Sequence, residues 1–301
     1  MYIWISSTYI IPIDSTLIIG SYTSSQKKYL QNYSLSTNKF SNPYLSKGRG
    51  PSEIIYMANI SLYDNYLGIN DARGKKIVIL DKNNAILGNS ESELITYSFK
   101  KNQFYFAILT DDLQCITTGN GTSKFKIQII DLQTGEIIRD LGKLKSNPND
   151  MPTHIIAQAG LTYPLLKPTR DKLALAYYHT DIIEIFDLNT EKSTSLQGPE
   201  TFNSDFRIYN NNWLPNDKTK FAFVSGTKTN KYIYLLYSGK NANDKKWNQG
   251  NYIFVFDWNL NPIKKIILDK EVSQISISED DKTLYSFDEY TGYIIQTTIN
   301  Y

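Results

Sequence analysis

The chain has 301 residues and nearly balanced charge, 32 Lys and Arg against 30 Asp and Glu for a net +2, which leaves no basic footprint for nucleic acid. Apolar residues make up 41%, enough for a buried core, but their runs are strand length and fall short of the ~20 residues of a membrane-spanning helix, so no membrane insertion is expected. The single cysteine, Cys115, excludes an intrachain disulfide, and its apolar surroundings mark it as a buried, inert thiol.

In chain order, the first segment is Met1-Tyr2-Ile3-Trp4-Ile5-Ser6. It has neither a basic start nor a small-residue cleavage site, so it is expected to be a strand, with no export signal in this sequence. A phrase then recurs: a short apolar strand, an Asp, and a polar turn. It reads Ile77-Val78-Ile79-Leu80-Asp81, Ile127-Gln128-Ile129-Ile130-Asp131, Ile182-Ile183-Glu184-Ile185-Phe186-Asp187 and Tyr252-Ile253-Phe254-Val255-Phe256-Asp257. Repetition at this interval, in a composition rich in Tyr and Ile, points to an all-β propeller of four-stranded antiparallel blades. Polar hairpin tips at 13–16, 63–65, 110–112, 169–172, 229–231 and 279–282 give six turns between first and second strands, hence six blades. The blades are expected at 8–40, 57–88, 104–142, 159–197, 220–268 and 271–301, forming one domain over 1–301. The last has three strands, and residues 2–6 are expected to complete it, closing the ring with both chain ends in one blade.

Turns between first and second and between third and fourth strands are expected to be short and to share one face. The long segments 41–56, 88–103, 143–158, 198–218 and 239–251 fall on the other face. Loops confined to one side mark a binding face, or else cover the channel mouth.

On that side Lys47-Gly48-Arg49-Gly50-Pro51-Ser52-Glu53 is a constrained turn. It either presents main-chain amides and Arg49 to an anion or fixes the crossover, with Arg49 and Glu53 bonded locally. His154 and His179, with Asp181 or Asp205, are candidates for an acid–base or metal site, though their spacing matches no ligand motif. The aromatics Tyr44, Tyr56, Phe202, Phe206, Tyr209, Trp213 and Trp247 could stack on a ligand or roof the channel, with Trp213 and Trp247 in the most polar surroundings. The acidic pairs at 111–112 and 279–281 read as turn residues. No Gly-x-Ser-x-Gly or calcium-loop pattern occurs, and no cofactor is expected.

Gly48-Arg49-Gly50-Pro51-Ser52-Glu53 also matches a G-x-G-P-x-E string. With it come Tyr232-Ile233-Tyr234-Leu235-Leu236-Tyr237-Ser238-Gly239, Val255-Phe256-Asp257-Trp258, Ile275-Ser276-Ile277-Ser278-Glu279-Asp280 and Leu284-Tyr285 in order. Over nearly its whole length the chain thus resembles the TolB-like six-bladed β-propeller proteins common in Bacteroidetes, a family of uncharacterised function. The resemblance implies a fold more than an activity. It implies a periplasmic or cell-surface location, since members are often exported or lipid-anchored, although no lipobox cysteine is present here. No agreed catalytic set exists to carry over.

The expected function is a monomeric, non-enzymatic binding or scaffold protein of the cell envelope. It would recognise a peptide, protein partner or glycan through Arg49, Glu53, Trp213 and Trp247. The alternative is a metal-assisted hydrolase or lyase, lactonase-like, using Asp71, Arg73, His154, His179 and Asp288 at the channel mouth. Fold alone does not choose between them.

Overall fold

The recurring apolar phrase is the third strand of its blade each time. Most of its residues are buried, on both faces in copies such as 77–80 and 127–130, while Tyr252 of the last copy is exposed. The computed structural model describes residues 8–21, 27–89, 94–100, 102–111, 113–144 and 151–300. They form a six-bladed all-β propeller, most blades having four antiparallel strands. The chain divides into two compact units, one ending at Lys143 and one beginning at Leu144, each carrying three blades.

The first unit opens with β1 (Tyr9–Ile13), β2 (Thr16–Gly20), β3 (Lys28–Ser34), β4 (Lys39–Phe40) and β5 (Tyr44–Ser46). The second blade is β6 (Met57–Tyr63), β7 (Tyr66–Asp71) and β8 (Lys76–Asp81), then helix α1 (Lys82–Leu87) and β9 (Ile95–Ser98). The third is β10 (Phe106–Asp111), β11 (Gln114–Thr118), β12 (Phe125–Asp131) and β13 (Ile137–Lys143). The second unit begins with helix α2 (Thr153–Ala159), followed by β14 (Thr162–Leu166), β15 (Lys172–Tyr177), β16 (Ile182–Asp187) and β17 (Ser193–Gln197). A separate hairpin, β18 (Arg207–Tyr209) and β19 (Asn212–Leu214), precedes the fifth blade. That blade is β20 (Lys220–Lys228), β21 (Tyr232–Asn241), β22 (Gly250–Asp257) and β23 (Pro262–Val272). The sixth is β24 (Gln274–Ile277), β25 (Thr283–Asp288) and β26 (Tyr293–Thr298).

Side chains alternate across a strand, so β8 feeds two cores at once. Val78 and Leu80 pack with Ile18, Leu30, Met57 and Ile69, while Ile77 and Ile79 pack with Phe99, Phe104, Ala107 and Cys115. In the second unit β21 divides likewise: Ile233 and Leu235 join the core with β14–β16, and Tyr234 and Leu236 join that with β24 and β25. Blades packed face to face need both faces apolar, which is why the phrase reads as a run rather than an alternation. Each such side chain stabilises by about 1.5–3 kcal/mol.

The repeated Asp caps the turn that follows. Asp131 accepts from the amide of Thr134 (2.7 Å), Asp187 from those of Asn189 (3.0 Å) and Thr190 (2.7 Å), and Asp257 from those of Asn259 (2.8 Å) and Asn261 (2.9 Å). The amide bond from Thr134 holds the Asp131 carboxyl below its usual range, as that from Thr190 does for Asp187. At the first-to-second-strand hairpins, Asp14, Asp64, Arg170 and Asp281 take the left-handed conformation, with φ of 49, 41, 63 and 64°.

Several boundaries differ from expectation. The turn after Asp81 is not tight: Asp81 accepts from the amide of Asn84 (3.0 Å) as the N-cap of α1, and Gly88 (φ 71°) ends the helix. The fourth strand of the second blade is therefore 95–98, beyond the expected limit at residue 88, and the third-to-fourth-strand connections are not uniformly short. Part of the expected loop 41–56 is strand β5, paired with β3, so the first blade has five strands. The expected loop 143–158 contains most of α2. The sixth blade shows three strands among the described residues, and the closing segment 2–6 lies outside them.

Candidate functional site

In the first unit a buried carboxylate and a buried amine shape the Gly48–Glu53 turn and its neighbour at 72–75. Asp71, at the end of β7, is fully buried and accepts three amides: Ile55 (2.9 Å), Tyr56 (3.0 Å) and Gly74 (2.8 Å). A Cβ on Gly74 would lie 2.2 Å from Asp71 Oδ2, so this turn accepts only glycine without displacing the carboxylate. Lys76, paired opposite Asp71, is 9% exposed and donates from Nζ to the carbonyls of Gly50 and Pro51, each at 2.9 Å. Burial lowers the pKa of this amine, and the carboxylates of Asp71 and Glu53 oppose the shift.

Glu53 folds back to accept from the amide of Gly50 (2.8 Å), and a Cβ on Gly48 would meet its Oε2 at 2.0 Å. Arg49 stands exposed at the tip. Arg73 is exposed on the adjacent turn, its guanidinium 5.2 Å from the centre of the Tyr56 ring. Tyr44 is buried, its hydroxyl donating to Asn32 Oδ1 (2.8 Å) beside the carbonyl end of α1.

In the second unit both histidines hold the β18–β19 hairpin. Its turn residues Asn210 and Asn211 are left-handed (φ 48 and 57°), a conformation Asn tolerates and two-residue hairpins require. His154, on α2, donates from Nε2 to the Asn211 carbonyl (2.8 Å). His179 is 3% exposed and lies against Trp213 of β19, ring centres 4.5 Å apart. Trp213 is itself buried, with Phe206 6.0 Å away. The aromatic row continues through Phe221, 5.0 Å from His179, to Trp247, 4.2 Å from Phe221. Burial pushes the His179 imidazole down to about 3, against the opposing pull of the Lys220 backbone, so the ring is neutral near pH 7. Trp213 thus anchors the hairpin from below, while Ile208 (48%) and Tyr209 (62%) face solvent.

The other polar candidates are engaged locally. Asp181 is fully buried and accepts from the amides of Glu200 (2.7 Å), Thr201 (2.7 Å) and Phe202 (3.2 Å). Asp205 accepts from Asn216 Nδ2 (2.6 Å). Asp288 accepts from the amides of Tyr290 (3.0 Å) and Thr291 (3.3 Å), shaping a turn from which Tyr290 projects. Trp247 is half-buried on the 239–251 insertion, which Lys240 and Lys246 tie to Glu271 (2.5 and 3.1 Å) and Asn248 ties to Glu289 (3.1 Å). Among the described residues no group of three or more His, Cys, Asp or Glu is placed to hold a metal ion.

The structure therefore gathers Glu53, Asp71, Arg73 and Arg49 in one region of the first unit, and His154, His179, Trp213 and Trp247 around one hairpin and its aromatic row in the second. Lys76 and Ile208 were not singled out from the sequence. Lys76 heads an apolar strand and Ile208 precedes a run of three asparagines, which are the only signals either residue offers.

Blades built and packed this way define a β-propeller. The chain belongs to the TolB-like 6-blade propeller-like family, whose model matches residues 3–280. Comparison with curated protein sequences finds no match. Many solved structures share the fold, among them the following three. The Myceliophteria thermophila Cps50 (Swd1) β-propeller domain is 13% identical, with 98% of each chain covered and a TM-score of 0.53. Kuenenia stuttgartiensis hydrazine synthase is 11% identical, covering 99% of this chain and 97% of that one, with a TM-score of 0.52. The Neurospora crassa Pan2 WD40 domain is 13% identical, covering 98% of this chain and 75% of that one, with a TM-score of 0.54. At such identities the likeness is one of fold alone, a propeller scaffold like that of WD40 domains. The three names span an enzyme and two propeller domains, so function has to come from the loops.

Proposed function

We propose that this protein is a non-enzymatic binding scaffold of the cell envelope, periplasmic or cell-surface, folded as a single propeller, and that it holds a peptide or protein partner on the outer side of the β18–β19 hairpin. The carrying observation is the hairpin itself. Two histidines and a buried tryptophan fix its underside, while Ile208 and Tyr209 remain exposed above. Rigid, apolar side chains on a preorganised turn lose little entropy on docking and serve well as interface anchors. A sugar platform is less well supplied, because the Trp213 ring is buried between His179 and Phe206.

A photo-crosslinking residue at position 209 tests this in envelope extracts of the source cell. A discrete adduct, identified by mass spectrometry and rebuilt with the purified partner, is expected to weaken at least about tenfold in Ile208→Ser. Equal binding by the Ile208→Ser, Tyr209→Ser double variant would remove the hairpin from the interface.

A further inference from the structure

The Gly48–Glu53 turn of the first unit is held from its inner side. Its carbonyls at Gly50 and Pro51 point inward, taken by Lys76 Nζ at 2.9 Å each, with Thr96 Oγ1 also donating to Pro51 (3.1 Å). The amide of Gly48 is bonded to the Ile54 carbonyl (3.0 Å) and that of Gly50 to Glu53. The amides of Arg49 and Ser52 have no internal acceptor among the described residues, and Pro51 has none to offer. The unbonded donors of the turn are thus two amides, the Ser52 hydroxyl and the Arg49 guanidinium, beside the carbonyls of Gly48, Arg49 and Ser52, which take no internal donor among the described residues.

Charge is unbalanced around the turn. Residues 47–56 and 71–76 hold five cations (Lys47, Arg49, Arg73, Lys75, Lys76) against two carboxylates, a local excess of three in a chain whose total is +2. Both carboxylates are spent inward, Glu53 on Gly50 and Asp71 on three amides. Arg49 and Arg73 are the exposed pair.

We propose that this turn is an oxyanion-binding site, in which the Arg49 guanidinium grips a carboxylate or phosphate group in bidentate fashion and the amides of Arg49 and Ser52 complete the cradle. Arg73, stacked near Tyr56, supplies the flanking positive potential. The turn is already fixed by Lys76 and Glu53, so binding does not have to order it. The site lies in the other unit from the hairpin and stands or falls independently of the partner proposed there.

The test is titration of the purified full chain, at low salt, with inorganic phosphate and separately with a hexaglutamate peptide. Amide chemical shifts are followed by NMR. Saturable shifts at Arg49 and Ser52 are expected with at least one probe, and the stronger binder decides between phosphate and carboxylate. Arg49→Gln is expected to weaken that binding roughly tenfold or more, and Arg49→Lys to recover only part of it, because the planar fork is lost. Arg49 is exposed, so an unchanged thermal midpoint verifies the fold of both variants. No shift at the turn with either probe, or binding that Arg49→Gln leaves intact, overturns the proposal.

Discussion

Asp71 in the first unit and Asp181 in the second are both fully buried, and each accepts three main-chain amides. They use that capacity differently. Asp71 holds the chain just before its own blade, at Ile55 and Tyr56, and the turn at Gly74. Asp181 holds the chain just after its blade, at Glu200, Thr201 and Phe202. In the first unit the segments so fixed adjoin the exposed Arg49 and Arg73, whereas in the second the segment leads into a hairpin that exposes Ile208 and Tyr209 and is seated on aromatic rings. One device for pinning a loop therefore supports two surface chemistries. The buried acids, which as bare sequence resemble catalytic carboxylates, do the pinning.

Replacing either acid is the most damaging way to test that equivalence. Asp71→Ala and Asp181→Ala are each expected to cost about 3–5 kcal/mol, since three buried amides lose a charged acceptor. Urea unfolding monitored by tryptophan fluorescence reads the loss. Hydrogen exchange should then rise at 55–56 and 74 in the first variant and at 200–202 in the second. Exchange that rises equally in both segments in both variants would break the comparison.

Trp213→Ala sharpens it from the other side. About 3 kcal/mol is expected, from the emptied space beside His179 and Phe206. Limited proteolysis should open the chain at 207–214 while leaving Gly48–Glu53 protected. Cleavage in the first unit would show that the hairpin is not a local element.

The pH response is the most specific contrast, because the buried neutral imidazole that carries it, His179, lies in the second unit. His179 is held at about 3 in the fold against an ordinary value of 6.5. As pH falls below about 6.5 the unfolded chain takes up a proton at this residue before the folded one does. The stabilisation is therefore complete above 6.5, declines continuously towards 3, and is flat below that. Against His179→Phe, the wild-type chain should lose more stability between pH 7 and 4. Parallel pH curves for the two proteins would mean that the ring is not buried as a neutral group.

The blade count, the third strands and the capping role of the repeated Asp are legible because each depends on neighbours in sequence. An apolar run of strand length followed by Asp reports its own burial and its own turn. The expected tight turn after Asp81 failed for a related reason. Asp caps a turn and a helix N-terminus by the same bond, and only the packing of Ala85 and the Asn32 bonds to the carbonyls of Ala85 (2.6 Å) and Ile86 (2.8 Å) select the helix. The candidate residues divide between two regions of the molecule, and the contacts that gather them are long-range in sequence. His154 and His179 do belong together, but as supports for a hairpin that neither one's sequence neighbourhood announces.

What the sequence determined by itself is periodic and local: strands buried on both faces, polar turns, a fold repeated six times. What only the tertiary structure decided is the direction in which each polar group faces. Asp71 and Asp181 turn inward because unpaired amides await them there, and Trp213 turns inward because His179 lies beneath it. Arg49 turns outward because Lys76 and Glu53, distant from each other in sequence, already occupy the inner side of its turn. Those choices depend on the desolvation of groups brought together across many residues, and a local pattern carries no record of that.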